Sequence, residues 1–328
     1  MLNDQRFREI ATFLDRLVTV DYHTRLFIID LYEEAILANG GSPLSYTAAL
    51  NINEEVYKDS YVYLLVGFPT YGTFVAEQDG PVGGAVLSRT LAELKKCKII
   101  VFTDESQKWL VHDTFRSAGF NIVEEPNQII YYTQACIKGV DAMDSVDQSF
   151  IDVYPPSAII AIERPSKNGN GKYMSMKGLD LSQKIAKLDE IVEDANRRNI
   201  LTVGIADGGN EVGCGRISKA VERNHPNGKM IASSVSTRSL MFASTSNFGA
   251  YAIAGALAAL NQDLHILVSP ERINLILERS AHNGLHNGPP LWLDPGTDGV
   301  PAELESFIMS SIHRMIWEEL NPHFPKFY

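Results

Sequence analysis

Two kinds of hydrophobic spacing alternate along the chain. Phe7, Ile10, Leu14 and Leu17 recur every three or four residues, and so do Leu26, Ile29, Tyr32 and Ile36. This spacing predicts two helices, the second stopped by Gly40-Gly41. A mixed segment follows, and the pattern then becomes short unbroken apolar runs: Tyr61 to Val66, Lys98 to Phe102, Ala158 to Ile162, Leu201 to Ile205 and Leu264 to Val268. Runs of this length suit strands covered on both faces. Between them lie stretches with helical character, Pro81 to Leu94, Ser182 to Arg197, Asn247 to Leu260 and Pro270 to Glu278. Strand and helix in alternation predict a layered α/β fold with a mostly parallel or mixed central sheet flanked by helices. No repeat or Pro/Ser-rich linker divides the chain. The expectation is one domain over residues 1–328, with an N-terminal helical cap over 1–55 and the α/β core over 56–328.

Composition narrows the partners. The chain has 328 residues, 45% of them hydrophobic, and a net charge of −11. That charge opposes nucleic acid, whose phosphates require a basic surface. The longest nearly apolar segment, Phe248 to Leu260, is too short to span a bilayer, and the acidic, amphipathic N-terminus does not resemble a signal peptide. Cys97, Cys136 and Cys214 are odd in number and lack CxxC spacing, which argues against a disulfide framework or a zinc ribbon. These features lead to the expectation of a cytoplasmic protein with a small-molecule substrate and no membrane or nucleic-acid partner. Homo-oligomerisation is left open.

The chemistry is concentrated where apolar runs end. Asp104 follows the second run, Glu163 the third and Asp207 the fourth, and ligands of open α/β sheets bind beyond the carboxyl ends of strands. Glu77 and Asp79 precede Pro81, where Asp79 also reads as a cap for the helix to come. A single Asp after a strand is most often a turn former. Several carboxylates sharing one cleft would repel each other, and a hard divalent cation such as Mn²⁺ or Mg²⁺ offsets that repulsion. The stretch Ile205 to Gly215, IADGGNEVGCG, fits neither a P-loop nor the G-x-G-x-x-G pattern. Its Gly208-Gly209 backbone is a candidate anion cradle, and a glycine turn leading into a helix that Glu211 complements is the plainer alternative. His282 and His286 have the spacing of a zinc pair, but Gly284 and Gly288-Pro289 break the helix they would need, so both read as loop histidines. Cys214 has no His near it in sequence to make it a nucleophile.

Several of these stretches, in this order, resemble the D-glutamate cyclase C-terminal domain family. GIADGGNEVGCG is similar to its GIGDGGNExGMG signature, and Glu77 to Pro81 with Gly83 to its E-T-D-G-P-x-G. Glu163-Arg164-Pro165, Tyr173 to Gly178, Ser246 to Tyr251 and Thr297 to Val300 resemble its E-R-P-G, Y-x-N-M-R-G, S-N-W-G-A-Y and V-D-G-V. Within these motifs Ala206, Cys214, Ser166, Ser175 and Lys177 differ from the family's residues. The resemblance spans roughly residues 60 to 305 and implies a lyase that condenses D-glutamate to 5-oxo-D-proline with loss of water.

On that reading, Glu77, Asp79, Glu163, Asp207 and Glu211 hold the divalent metal. Glu211, Asp207 and Asp104 are the candidate catalytic acids and bases. Arg164 or Lys177 holds the α-carboxylate, and Asn210, Gly208, Gly209, Ser246 and Asn247 complete the substrate site. Two alternatives stay open: a divalent-metal-dependent hydrolase or phosphatase acting on a small anionic substrate, and a non-catalytic small-ligand-binding protein.

Overall fold

The computed structural model describes residues 3–288 and 291–321. Three helices come first: α1 (Asp4–Val18), α2 (Ile28–Ala38) and α3 (Leu44–Glu55). The sheet begins with β1 (Tyr61–Val66), followed by α4 (Pro81–Lys95), β2 (Lys98–Asp104), α5 (Lys108–Ser117), β3 (Asn121–Val123) and β4 (Gln134–Val140). Next come α6 (Gln148–Val153), β5 (Pro156–Ile162), α7 (Asp189–Arg197), β6 (Leu201–Ala206), α8 (Ser218–Asn224), α9 (Gly228–Ile231) and β7 (Ser239–Phe242). The chain continues through α10 (Ser246–Asn261), α11 (Pro270–Asn283), the short hairpin β8 (Gly296–Thr297) and β9 (Val300–Pro301), and α12 (Ala302–Leu320).

Seven strands pair in the order β3-β4-β2-β1-β5-β6-β7, and every pair is parallel. β1 is central. The chain leaves it toward β2, and from its other neighbour, β5, it leaves in the opposite direction toward β6. The crevice beyond the carboxyl ends of β1 and β5 is therefore the switch point where a ligand site is expected in such sheets.

Side-chain alternation explains the unbroken apolar runs. Val62, Leu64 and Val66 of β1, with Ala158, Ile160 and Ile162 of β5, face a large core shared with α1, α3, α4, α10, α11 and α12. Tyr63, Leu65, Ile159 and Ala161 face the other side, where Ile151 of α6 and Ile191, Val192 and Ala195 of α7 cover them. Both faces are apolar because both are covered. α10 is buried along nearly its whole length, packed among α1, α3, α4 and α12. An all-round apolar helix of this kind is a core helix, and among the described residues no helix is long and apolar enough to cross a membrane.

The structure departs from the sequence reading in several places. α2 forms where expected, but it buries Ile28, Leu31 and Ala35 and leaves Leu26 and Ile29 exposed. The run Leu264–Ile266 is a 3₁₀ turn, not a strand, because left-handed Gln262 ends α10 and the Asp263 side chain caps the turn through the His265 N–H. The helix expected from Ser182 begins only at Asp189, and residues 182–188 lie over the end of the sheet as turns. The sequence reading also missed β3, β4, β7, the β8–β9 hairpin and helices α3, α5, α6, α8, α9 and α12.

Candidate functional site

β1, β5 and β6 end side by side, and the residues after them are acidic. Glu163 directly follows β5, and Asp207 directly follows β6. The loop after β1 brings in Glu77 and Asp79, and the β8–β9 turn brings in Asp298. Asp79, Glu163 and Asp207 are all buried, and each offers one oxygen such that the three lie within 4.8 Å of one another. Glu163 and Asp298 sit at φ +46 and +55, in the left-handed region that non-glycine residues rarely occupy. The backbone is therefore strained where it aims these two carboxylates.

Two helix ends hold the cluster. Asp79 accepts from the Ser246 and Asn247 N–H groups, at 2.9 and 2.6 Å, so it caps α10. Asn247 returns the contact: its side-chain oxygen accepts from Gly80 N and Gly83 N in the first turn of α4, at 3.0 and 2.6 Å. The expectation that Asp79 caps the helix after it is thus corrected, since it caps the helix that crosses α4. The helices approach closely because position 83 is glycine; a Cβ there would lie 2.6 Å from the Asn247 oxygen. The Ser246 hydroxyl lies 2.6 Å from Glu163 Oε2.

The electrostatics are lopsided. Burial first, and then neighbouring carboxylates, push Glu77, Asp79 and Glu163 well above the ordinary acid range. Burial also raises Asp207, against the pull of Arg25. Arg25, in the α1–α2 loop, donates to Asp207 Oδ2 at 2.9 Å and to Asp298. Asp207 Oδ1 is buried with no hydrogen-bond partner among the described residues. A buried, unpartnered carboxylate oxygen amid acids that outnumber their cation matches the donor set of a hard divalent ion, so Asp79, Glu163 and Asp207 can hold one.

A cavity of about 730 Å³ reaches this triad through Glu163. Glu77, Glu163, Asp298, Arg25 and Asn210 line its acidic end; Phe27, Phe68 and Tyr71 wall it; and exposed Lys177 stands on its lining. Asn210 donates to Met174 O at 2.8 Å, and its own side-chain oxygen has no partner among the described residues.

Other expected site residues are otherwise engaged. Arg164 and Asp104 form a buried bidentate ion pair at 2.6 and 3.1 Å. Arg164 also donates to Gly67 O and Ala186 O, and Asp104 accepts from Ala186 N. Neither lines the cavity, so the pair binds strand ends together in place of substrate. The Gly208 and Gly209 N–H groups do bind an anion, but it is the Glu211 carboxylate, at 2.9 and 2.7 Å. Glu211 therefore closes its own loop, and both of its oxygens are taken.

Ser246 and Asn247 likewise spend their polar atoms on protein groups, Asn247 Nδ2 on Gln78 O and Thr297 Oγ1. Cys214 is buried, and its thiol donates to Glu211 Oε2 at 3.6 Å. His282 belongs to α11 and not to a loop, while His286 lies beyond left-handed Gly284; Pro289 lies outside the described residues.

Sequence reasoning missed Arg25, which comes from the helical N-terminus, and gave no role to Asp298, although the Thr297-to-Val300 motif contains it. It also missed Glu305, which is buried behind the site and accepts from Tyr251 at 2.8 Å and from Thr297. Burial lifts Glu305 to about 7.

Comparison with known proteins agrees with the motif order. The family described as D-glutamate cyclase-like, C-terminal, matches residues 14–313. Human "D-glutamate cyclase, mitochondrial" is 30% identical over 229 residues, covering 64% of this chain and 36% of that protein. The chain thus matches little more than a third of that relative's length. A match running from within α1 to within α12 takes in every strand and every carboxylate of the cluster, and the chain belongs to the D-glutamate cyclase-like, C-terminal family.

Proposed function

We propose that this protein is a metal-dependent D-glutamate cyclase-like lyase that closes D-glutamate to 5-oxo-D-proline and water. The observation that carries the reading is the buried Asp79–Glu163–Asp207 triad, which meets the cavity through Glu163, in a chain of this family. In the reaction the α-nitrogen bonds to the γ-carboxyl carbon, one C–O bond breaks, and two ammonium protons leave with that oxygen as water. A divalent cation such as Mn²⁺ or Mg²⁺, held by Asp79, Glu163 and Asp207, would supply Lewis-acid polarisation of the γ-carboxylate.

The chain's own residues do the rest. Glu77 lines the cavity, accepts no hydrogen bond among the described residues and has a raised pKa, so it suits the transfer of a proton from the amine to the departing oxygen. It takes the role first expected of Glu211 or Asp104, which are locked in their own contacts. Phe27 and Phe68 give the cavity an apolar wall. The Asn210 side-chain oxygen is free to accept from the amine.

The test is 5-oxoproline formation from D-glutamate by chelator-treated protein, with Mn²⁺ or Mg²⁺ restored, for wild type and Asp207→Asn. Wild type should need the metal, and the variant should lose about two orders of magnitude or more in turnover. Metal at a hundredfold excess over its dissociation constant should add about 2.7 kcal/mol of stability to wild type, and less to the variant. Metal-loaded wild type without turnover defeats the cyclase reading. Turnover of a phosphate-ester panel in its place favours the hydrolase.

A further inference from the structure

The Arg25 guanidinium has five N–H donors. One nitrogen serves Asp207 and the other serves Asp298, which leaves three N–H bonds with no acceptor among the described residues. The side chain is only 15% exposed, and that exposure is to the cavity it lines. Its loop is pinned for this purpose. Thr24 and Leu26, on either side, lie at φ +52 and +66, and Asp21 accepts from Arg25 N and Leu26 N at 3.0 and 2.8 Å. Such strain persists only where surrounding contacts hold it.

The other basic side chains in or near the cavity are poor rivals at its acidic end. Arg164 is consumed by Asp104 and backbone carbonyls. Burial keeps His225 neutral, near 4, and burial lowers His23 as well. Lys177 is exposed.

We propose that Arg25 anchors a carboxylate of the substrate beside the acidic triad and thereby selects carboxylate-bearing ligands. The identity of that substrate as D-glutamate rests on the cyclase reading; the anchor itself does not. A guanidinium fork suits a carboxylate in a way a single ammonium does not. Because Arg25 donates to Asp207, the anchored group would lie next to an ion held by the triad.

The experiment is calorimetric titration of Mn²⁺-loaded protein with D-glutamate, glutarate and succinate, together with Mn²⁺ titration of the chelated protein, for wild type, Arg25→Met and Arg25→Lys. Arg25→Met should weaken carboxylate binding about ten- to a hundredfold. It should leave Mn²⁺ affinity intact or tighter, because a nearby positive charge is gone. Arg25→Lys should recover part of the carboxylate affinity. Unchanged carboxylate binding in Arg25→Met overturns the anchor, and so does a parallel loss of Mn²⁺ affinity, which would make Arg25 a scaffold. Wild type that binds glutarate through Arg25 but not D-glutamate sinks only the cyclase reading. Wild type that binds none of the three sinks the anchor.

Discussion

One amide, that of Asn247, carries four hydrogen bonds: two accepted from the first turn of α4 and two donated to Gln78 and Thr297. Truncation to alanine would strand the Gly83 N–H group in a dry interior, whereas Gly80 N–H keeps the Asp79 carboxylate at 3.1 Å. A buried unsatisfied donor costs about 1–3 kcal/mol, so Asn247→Ala should lose stability in that range in urea unfolding. A loss below about 0.5 kcal/mol would show that these bonds are not formed in solution. Sequence alone suggested a ligand contact here, because an Asn at a helix start looks the same whether it faces a substrate or another helix. Glu211 misled for a similar reason: a Gly-Gly pair of N–H groups does not disclose that its anion lies two and three residues further along the chain. Asp79, Glu163 and Asp207 were legible because each closely follows or precedes an element whose apolar pattern is plain.

Among the elements, those covered on both faces were the readable ones. β1, β2, β5 and β6 announced themselves as unbroken apolar runs. β3 is three residues at the sheet edge, β4 is only half buried, and β7 is four residues long, so none carries enough pattern to stand out. Arg25 was invisible by the same logic, since it sits in a loop with no strand before it. The ion pair of Arg164 and Asp104 belongs to this scale, because it links the ends of β1, β2 and β5 with the loop before α7. Arg164→Met leaves a buried carboxylate unpaired and should cost about 3–5 kcal/mol, whereas Arg164→Met combined with Asp104→Leu should cost less than the single change. Chemical denaturation of both variants checks this, and a double variant at least as unstable as the single one would contradict it.

At the scale of the whole molecule, a set of carboxylates is buried inside the fold, and that set shapes its response to pH. Glu305 rises from 4.5 to about 7, and Asp15, buried under α3, rises from 3.8 to about 6, in both cases chiefly through burial. Both folded-state values exceed the unfolded ones. The stability they contribute is therefore complete below about pH 4 and lost as pH climbs through 6 and 7. Chelated protein should melt at progressively lower temperature between pH 4.5 and 7.5, and Glu305→Gln should flatten the upper part of that decline. A melting temperature that rises across the window would refute the assignment. The junction of α4 and α10 has a different consequence, for how the family is read. Asp79 is part of the joint between two core helices, so a descendant that abandoned the chemistry would still be under pressure to keep it. Asp207 caps no helix, and one of its oxygens has no hydrogen-bond partner among the described residues. On the proposed reading, replacement of Asp207, and not of Asp79, would be the mark by which a retired member of the family could be told from a working one.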